Sequence, residues 1–166
     1  MYESEGASNS FGLLSVGDGA NINQPFAHQK VNLSVYYNSL CQSCAQFIIK
    51  DLKNVFDSNL ISIVNLRLVP WANAHINNNN SSISCQNGPD ECELNSLESC
   101  ALNLWHKVLG KAYINQIAHL SPSPSFVPWV VVNNQPVGKD YANFTHYVCK
   151  AYGGVAVPEV CKSPLK

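Results

Sequence analysis

The spacing of apolar and polar residues changes several times along the chain, and each change marks an element. In VNLSVYYN, Val31, Leu33 and Val35 alternate with polar residues and aromatics follow, which predicts a strand. After a short break at Asn38-Ser39 the period lengthens. Cys44, Phe47, Ile48, Leu52, Val55 and Phe56 recur at helical spacing, predicting a helix over 42–56. LISIVNLRLVP alternates again and stops at Pro70, giving a second strand. Residues 71–90 read as a loop. A second helix starts near Asp90, with Leu94, Leu97, Ala101, Leu104, Trp105 and Val108 on one face and Gly110 as its stop. A short helix over 111–120 and the stiff connector SPSPS follow. WVVVNNQPV predicts a strand, a tight turn at Asn133-Asn134 and an edge strand that tolerates Pro136. A last helix spans Tyr141 to Tyr152.

Strand, helix, strand, a helical insertion, a β-hairpin and a closing helix make an α/β chain in the thioredoxin-like layout, with the insertion at about 71–121 between the βαβ unit and the β-hairpin. Residues 1–29, rich in Gly, Ser and Asn and without period, are expected as a flexible N-terminal arm. The domain proper is expected over 30–162, with 163–166 as a tail.

Composition narrows the function classes. A length of 166 residues suits one domain with a real core. Hydrophobic residues make up 46% and charged residues 13%, which argues against a disordered chain or a coiled coil. A formal net charge of -1 without Lys/Arg clusters leaves no footprint for nucleic acid or an anionic membrane surface. No apolar run reaches the ~18 residues of a membrane span, and no charged start precedes an apolar leader. Seven cysteines, together with N-x-S/T triplets at Asn32, Asn79, Asn80 and Asn143, point to an oxidising compartment of the secretory route.

Within NSLCQSCAQFIIKDL, Cys41 and Cys44 sit between a strand and a helix. If the helix starts at Cys41, its unpaired N–H groups and its dipole favour a thiolate there. Cys44, one turn on, can approach the same sulfur and resolve a mixed disulfide. Zinc needs two further ligands. Cys85, Cys92 and Cys100 make no second CxxC, and neither His75 nor His106 belongs to a ligand pair, so no metal is expected. His28, His119 and His146 are isolated. Pro128 stands just before an apolar strand. In a thioredoxin-like layout a cis proline occupies that point and faces the cysteines, so Val127-Pro128 is expected to be cis and to hold an extended substrate segment by strand addition. Trp129 and Tyr37 either shape that surface or belong to the core.

CQNGPDECELNSLESC, residues 85–100, resembles the signature of the gamma-interferon-inducible lysosomal thiol reductase family: Cys-Gln-His-Gly, two residues, Glu-Cys, two residues, Asn, four residues, Cys. Cys85, Gln86, Gly88, Glu91, Cys92, Asn95 and Cys100 match; Asn87 stands where the family has histidine. The resemblance extends to LVPWANA, FVPWVVVNNQP and the pair Cys149 and Cys161. It implies a thioredoxin-like fold with a helical insertion and a reductase of protein disulfides, working at acidic pH in secretory or lysosome-like compartments through Cys41 and Cys44. No organic cofactor is implied; a small thiol recycles the enzyme. On one helix Cys92 and Cys100 lie about 12 Å apart, beyond the ~4.4–6.8 Å Cα separation of a disulfide. Cys85 can reach either, and a turn at Gly88-Pro89 favours Cys85–Cys92. Cys149–Cys161 then ties a helix end to the tail, leaving Cys100 free or available for a disulfide-linked homodimer. Two other functions stay open: a secreted binding protein in which Cys41–Cys44 is a staple, and a disulfide oxidase or isomerase, since direction depends on potential.

Overall fold

The computed structural model of the protein describes residues 29–77, 82–103 and 124–162. The first 28 residues of the expected arm, Asn79 and Asn80, the helix-face residues Leu104, Trp105 and Val108, the stop at Gly110, the helix over 111–120, His28, His106, His119 and the tail lie outside the described residues.

β1 (Val31–Tyr36) is an inner strand of a four-stranded sheet of order β2-β1-β5-β6. It runs parallel to β2 (Val64–Val69), in register from Val31 opposite Val64 to Tyr36 opposite Val69. It runs antiparallel to β5 (Trp129–Val132), which continues through a hairpin into the edge strand β6 (Gln135–Pro136). Asn133 and Asn134 both have positive φ, 45° and 66°, as the two-residue turn requires. Pro136 sits on the edge, where its missing N–H breaks no inner ladder.

The period of two sorts the side chains onto two faces. Val31, Leu33 and Val35 of β1 and Val130 and Val132 of β5 pack with Cys44, Phe47, Leu52 and Val55 from the segment after β1, and with Phe144 and Val148 from the closing helix. On the opposite face Tyr36, Val69, Trp129 and Val131 gather Trp71, Ala72 and Ala74. This second cluster covers the sheet at the C-terminal end of β1, where the cysteines follow.

Between β1 and β2 the helix is composite: α1 (Gln42–Gln46), a π-helical stretch (Phe47–Leu52) and α2 (Asn54–Asp57). Helical periodicity places Phe56 in the core, but it is 59% exposed. The wider π turn rotates later side chains away from a 3.6-residue extrapolation, so Val55 points inward and Phe56 outward. The second strand also begins later than its alternation suggests. Leu60–Ser62 is a 3-10 turn entered through Asn59 at φ 59°, and pairing starts at Val64.

Residues 71–90 are not simply a loop. They contain a small antiparallel hairpin, β3 (His75–Ile76) with β4 (Ile83–Ser84), too short to show a period. α3 (Pro89–Asn103) follows and buries a different face from the one its leucines predict. Leu94 and Ala101 are exposed, and Leu97 is 60% exposed. The buried stripe is Glu91, Asn95 and Ser99, at i, i+4 and i+8. Each has a partner: Asn87 for Glu91, Ser39 for Asn95, and the Trp71 indole N–H, which donates to Ser99 Oγ at 2.6 Å. A helix docked by hydrogen bonds needs no apolar seam there. The closing helix is a 3-10 stretch (Gly138–Asn143) running into α4 (Phe144–Ala151).

Candidate active site

Cys41 caps α1. Its backbone is extended (φ -94°, ψ 108°), its carbonyl accepts from Ala45 N–H at 3.0 Å, and its sulfur accepts from Cys44 N–H at 3.1 Å. That N–H is one of the donors a helix start leaves without a backbone partner. Cys41 and Cys44 are bridged, with Cα atoms 5.2 Å apart. The two sulfurs differ in access. Cys41 is half-buried at the rim, whereas Cys44 is 1% exposed and belongs to the core. A visiting chain therefore meets Cys41 first.

Val127-Pro128 is cis. The loop meets the cysteines through Ser43, which lies between them in sequence. Ser43 Oγ donates to the Val127 carbonyl at 3.2 Å and stands 3.2 Å from Cys41 Sγ. Cys41, Cys44 and Val127 thus converge, and Pro128, next in sequence, is buried. Tyr37 and Trp129 are both buried and serve the core; Phe126 meets Trp129 edge-on at 5.2 Å. Burial also pushes the Tyr36 phenol above its ordinary range, so it stays neutral.

The turn that delivers Cys41 is held from the 85–100 segment. Asn95 Oδ1 accepts from both the N–H and the hydroxyl of Ser39, at 3.0 and 2.6 Å. Gln86 Oε1 accepts from Asn73 Nδ2 at 2.6 Å and from Asn38 Nδ2 at 3.4 Å. Asn38 Oδ1 in turn accepts from Asn73 N–H at 3.2 Å, and its carbonyl accepts Cys41 N–H at 3.3 Å. The segment is itself braced. Cys85 and Cys92 are bridged with Cα atoms 5.6 Å apart, and Gly88 turns at φ 91°, a conformation a Cβ disfavours. Asn87 donates to both oxygens of the buried Glu91 carboxylate, from N–H at 3.3 Å and Nδ2 at 2.6 Å. The residue in place of the family's histidine is thus the neutral partner of a buried acid. Ser39, Ser43, Asn38 and Asn73 escape sequence reasoning, because nothing but the fold brings them to their partners.

Cys149 and Cys161 are bridged at a Cα separation of 5.3 Å, tying α4 to a closing 3-10 turn (Glu159–Cys161). Cys100 carries a free, exposed thiol. His75 and His146 are exposed, as are Asn32 and Asn143. Among the described residues no three His, Cys, Asp or Glu side chains gather as metal ligands would, and no helix is long and apolar enough to cross a membrane.

Comparison with known proteins adds the family. The sequence profile described as gamma interferon inducible lysosomal thiol reductase (GILT) matches residues 32–121, more than half of the chain and a span that includes both the CxxC pair and the 85–100 segment. Similar proteins include the gamma-interferon-responsive lysosomal thiol protein of Arabidopsis thaliana, 30% identical with 81% of this chain and 76% of that one covered. The gamma-interferon-inducible lysosomal thiol reductase of Mus musculus is 28% identical, with 80% and 72% covered. A capped cysteine pair, a cis proline loop against it and a signature segment that braces its turn thus coincide with the profile match: the chain belongs to the gamma interferon inducible lysosomal thiol reductase family.

Proposed function

We propose that the protein is a thiol–disulfide oxidoreductase that works as a reductase of disulfide-containing proteins. The Cys41 thiolate attacks one sulfur of a substrate disulfide, and the other leaves as a thiolate. Cys44 then attacks Cys41 Sγ, forming the Cys41–Cys44 bridge and releasing the first substrate sulfur. Two electrons pass to the substrate, and two equivalents of an external small thiol restore the pair. Val127, with the cis-bonded Pro128 next to it, offers backbone for strand addition beside Cys41. Leu40, exposed immediately before Cys41, supplies apolar contact for an unfolded segment. The observation that carries the proposal is the Cys44 N–H aimed at the rim sulfur, Cys41 Sγ, at 3.1 Å. It favours the thiolate and so keeps the attacking species available in acid.

The parallel β1–β2 pair, the antiparallel β5–β6 hairpin and the cis bond before β5 support a thioredoxin-like domain over 30–162 with an insertion at about 71–121. The lysosomal names of the relatives and the three disulfides support a secretory or lysosome-like compartment. The exposed Asn32 and Asn143 are the glycan acceptors proposed within the described residues. The chain works as a monomer or as a homodimer linked through Cys100.

Reduction of a disulfide-bonded protein, with a small thiol as donor, tests the proposal across about pH 4 to about 8. Wild type is expected to turn over and Cys41→Ser to be inactive. Equal, background-level rates for both proteins would mean that the bridge is a staple.

A further inference from the structure

We propose that Gln86 and Asn95 are positioning residues that set the reactivity of Cys41 through the Asn38-Ser39 turn. The inference rests on the reading of Cys41 as the attacking thiol. Asn95 is fully buried, and one oxygen takes both donors of Ser39, two residues before Cys41. Gln86 holds the Asn38 and Asn73 carboxamides, and the Asn38 carbonyl receives the Cys41 N–H. Asn95 on α3 thus holds the turn at Ser39, and Gln86, just before α3, holds it at Asn38, whose carbonyl receives the backbone N–H of the attacking residue.

Their placement is what separates a tuning role from ordinary docking. A helix held only for stability can attach anywhere on the sheet, yet Asn95 and Gln86 fasten the one turn whose position decides whether Cys41 Sγ meets the Cys44 N–H. Hydrogen bonds weaken steeply as distance and angle depart from the optimum. A turn released from its clamp lets the sulfur drift from that donor, and the thiolate loses stabilisation. The disulfide form is favoured in consequence, and the potential becomes more negative. The Cys85–Cys92 bridge, the Gly88 turn and the Asn87–Glu91 pair brace the clamp from behind.

The test is iodoacetamide labelling of the mildly reduced full chain. Cys41 is read by mass spectrometry as a function of pH, and the potential of the Cys41–Cys44 pair and the melting temperature are measured alongside. Asn95→Ala and Gln86→Ala are expected to move the midpoint of the Cys41 profile upward. At about pH 5 labelling falls by about tenfold for Asn95→Ala, the scale of one hydrogen bond to a charged group, and the potential becomes more negative. Ser39→Ala moves the profile the same way by less, and Ser39→Ala combined with Asn95→Ala does no worse than Asn95→Ala alone. Leu97→Ala, on the exposed side of α3, keeps the wild-type profile. Folded variants with a lowered melting temperature but an unchanged profile and potential would overturn the proposal. If Asn95→Ala does not fold, Gln86→Ala and Ser39→Ala decide by the same readout. A wild-type Cys41 with ordinary thiol behaviour and no turnover would instead sink the function proposed above. A depressed wild-type profile that no clamp variant moves would sink this inference alone.

Discussion

Ser43 shows how much chemistry a single hydroxyl can serve. It has one proton and two acceptors, the Val127 carbonyl and Cys41 Sγ, each at 3.2 Å. A bridged sulfur is a weak acceptor, so in the oxidised pair the proton belongs to Val127. A thiolate is a far stronger one. Ser43→Ala is therefore expected to slow acid-range labelling of reduced Cys41 by roughly tenfold, the scale of one hydrogen bond to a charged group. It should not raise the KM for a protein substrate, because the Val127 carbonyl is then open to a visiting N–H. Steady-state kinetics together with labelling check both parts; a raised KM with unchanged labelling would contradict them. The Cys41–Cys44 pairing and the cis bond before Pro128 are legible in sequence because spacing and placement alone point to them. Ser43 is not, since its partner lies 84 positions away.

At the scale of elements, legibility follows periodicity. β1 and β5 alternate cleanly, and the Asn133-Asn134 turn has the residues that positive φ demands. The segment after β1 departs from its pattern where the helix widens. Phe47→Ala, deep in the core between Tyr141 and Phe144, is expected to cost about 3–5 kcal/mol. Phe56→Ala should stay within about 0.5 kcal/mol, as exposed sites do. Urea unfolding distinguishes them, and equal losses would mean that Phe56 is a core residue. α3 is the harder case. Its leucines face outward and its polar stripe inward, because its neighbours are donors and acceptors rather than aliphatic chains. No hydrophobic count finds such a face. The resemblance singles out Glu91 and Asn95 yet gives them no task. The Cys149–Cys161 bridge closes a short loop at the end of α4. Replacing both cysteines by alanine is expected to lower stability by about 3 kcal/mol. Turnover per folded molecule should stay near wild type, since the bridge ties α4 to the closing 3-10 turn and takes no part in the hydrogen bonds that hold Cys41; a loss of turnover without a loss of stability would contradict this.

For the whole molecule, one sheet carries two clusters with different duties. The first, between the sheet, the 42–57 segment and α4, fixes Cys44 and leaves Cys41 at the rim. The second joins Trp71, Trp129 and the β3–β4 hairpin on the other face, where α3 reaches back to the turn before Cys41. The site thus depends on both faces of the sheet, and the family signature acts on it from a distance in sequence. The central claim, that Cys41 attacks and Cys44 resolves, is tested most directly by trapping. Cys44→Ser, incubated with a disulfide-bonded protein, is expected to accumulate a mixed disulfide that peptide mapping places on Cys41 and that a small thiol releases. No adduct, or an adduct on Cys100 alone, would contradict the account.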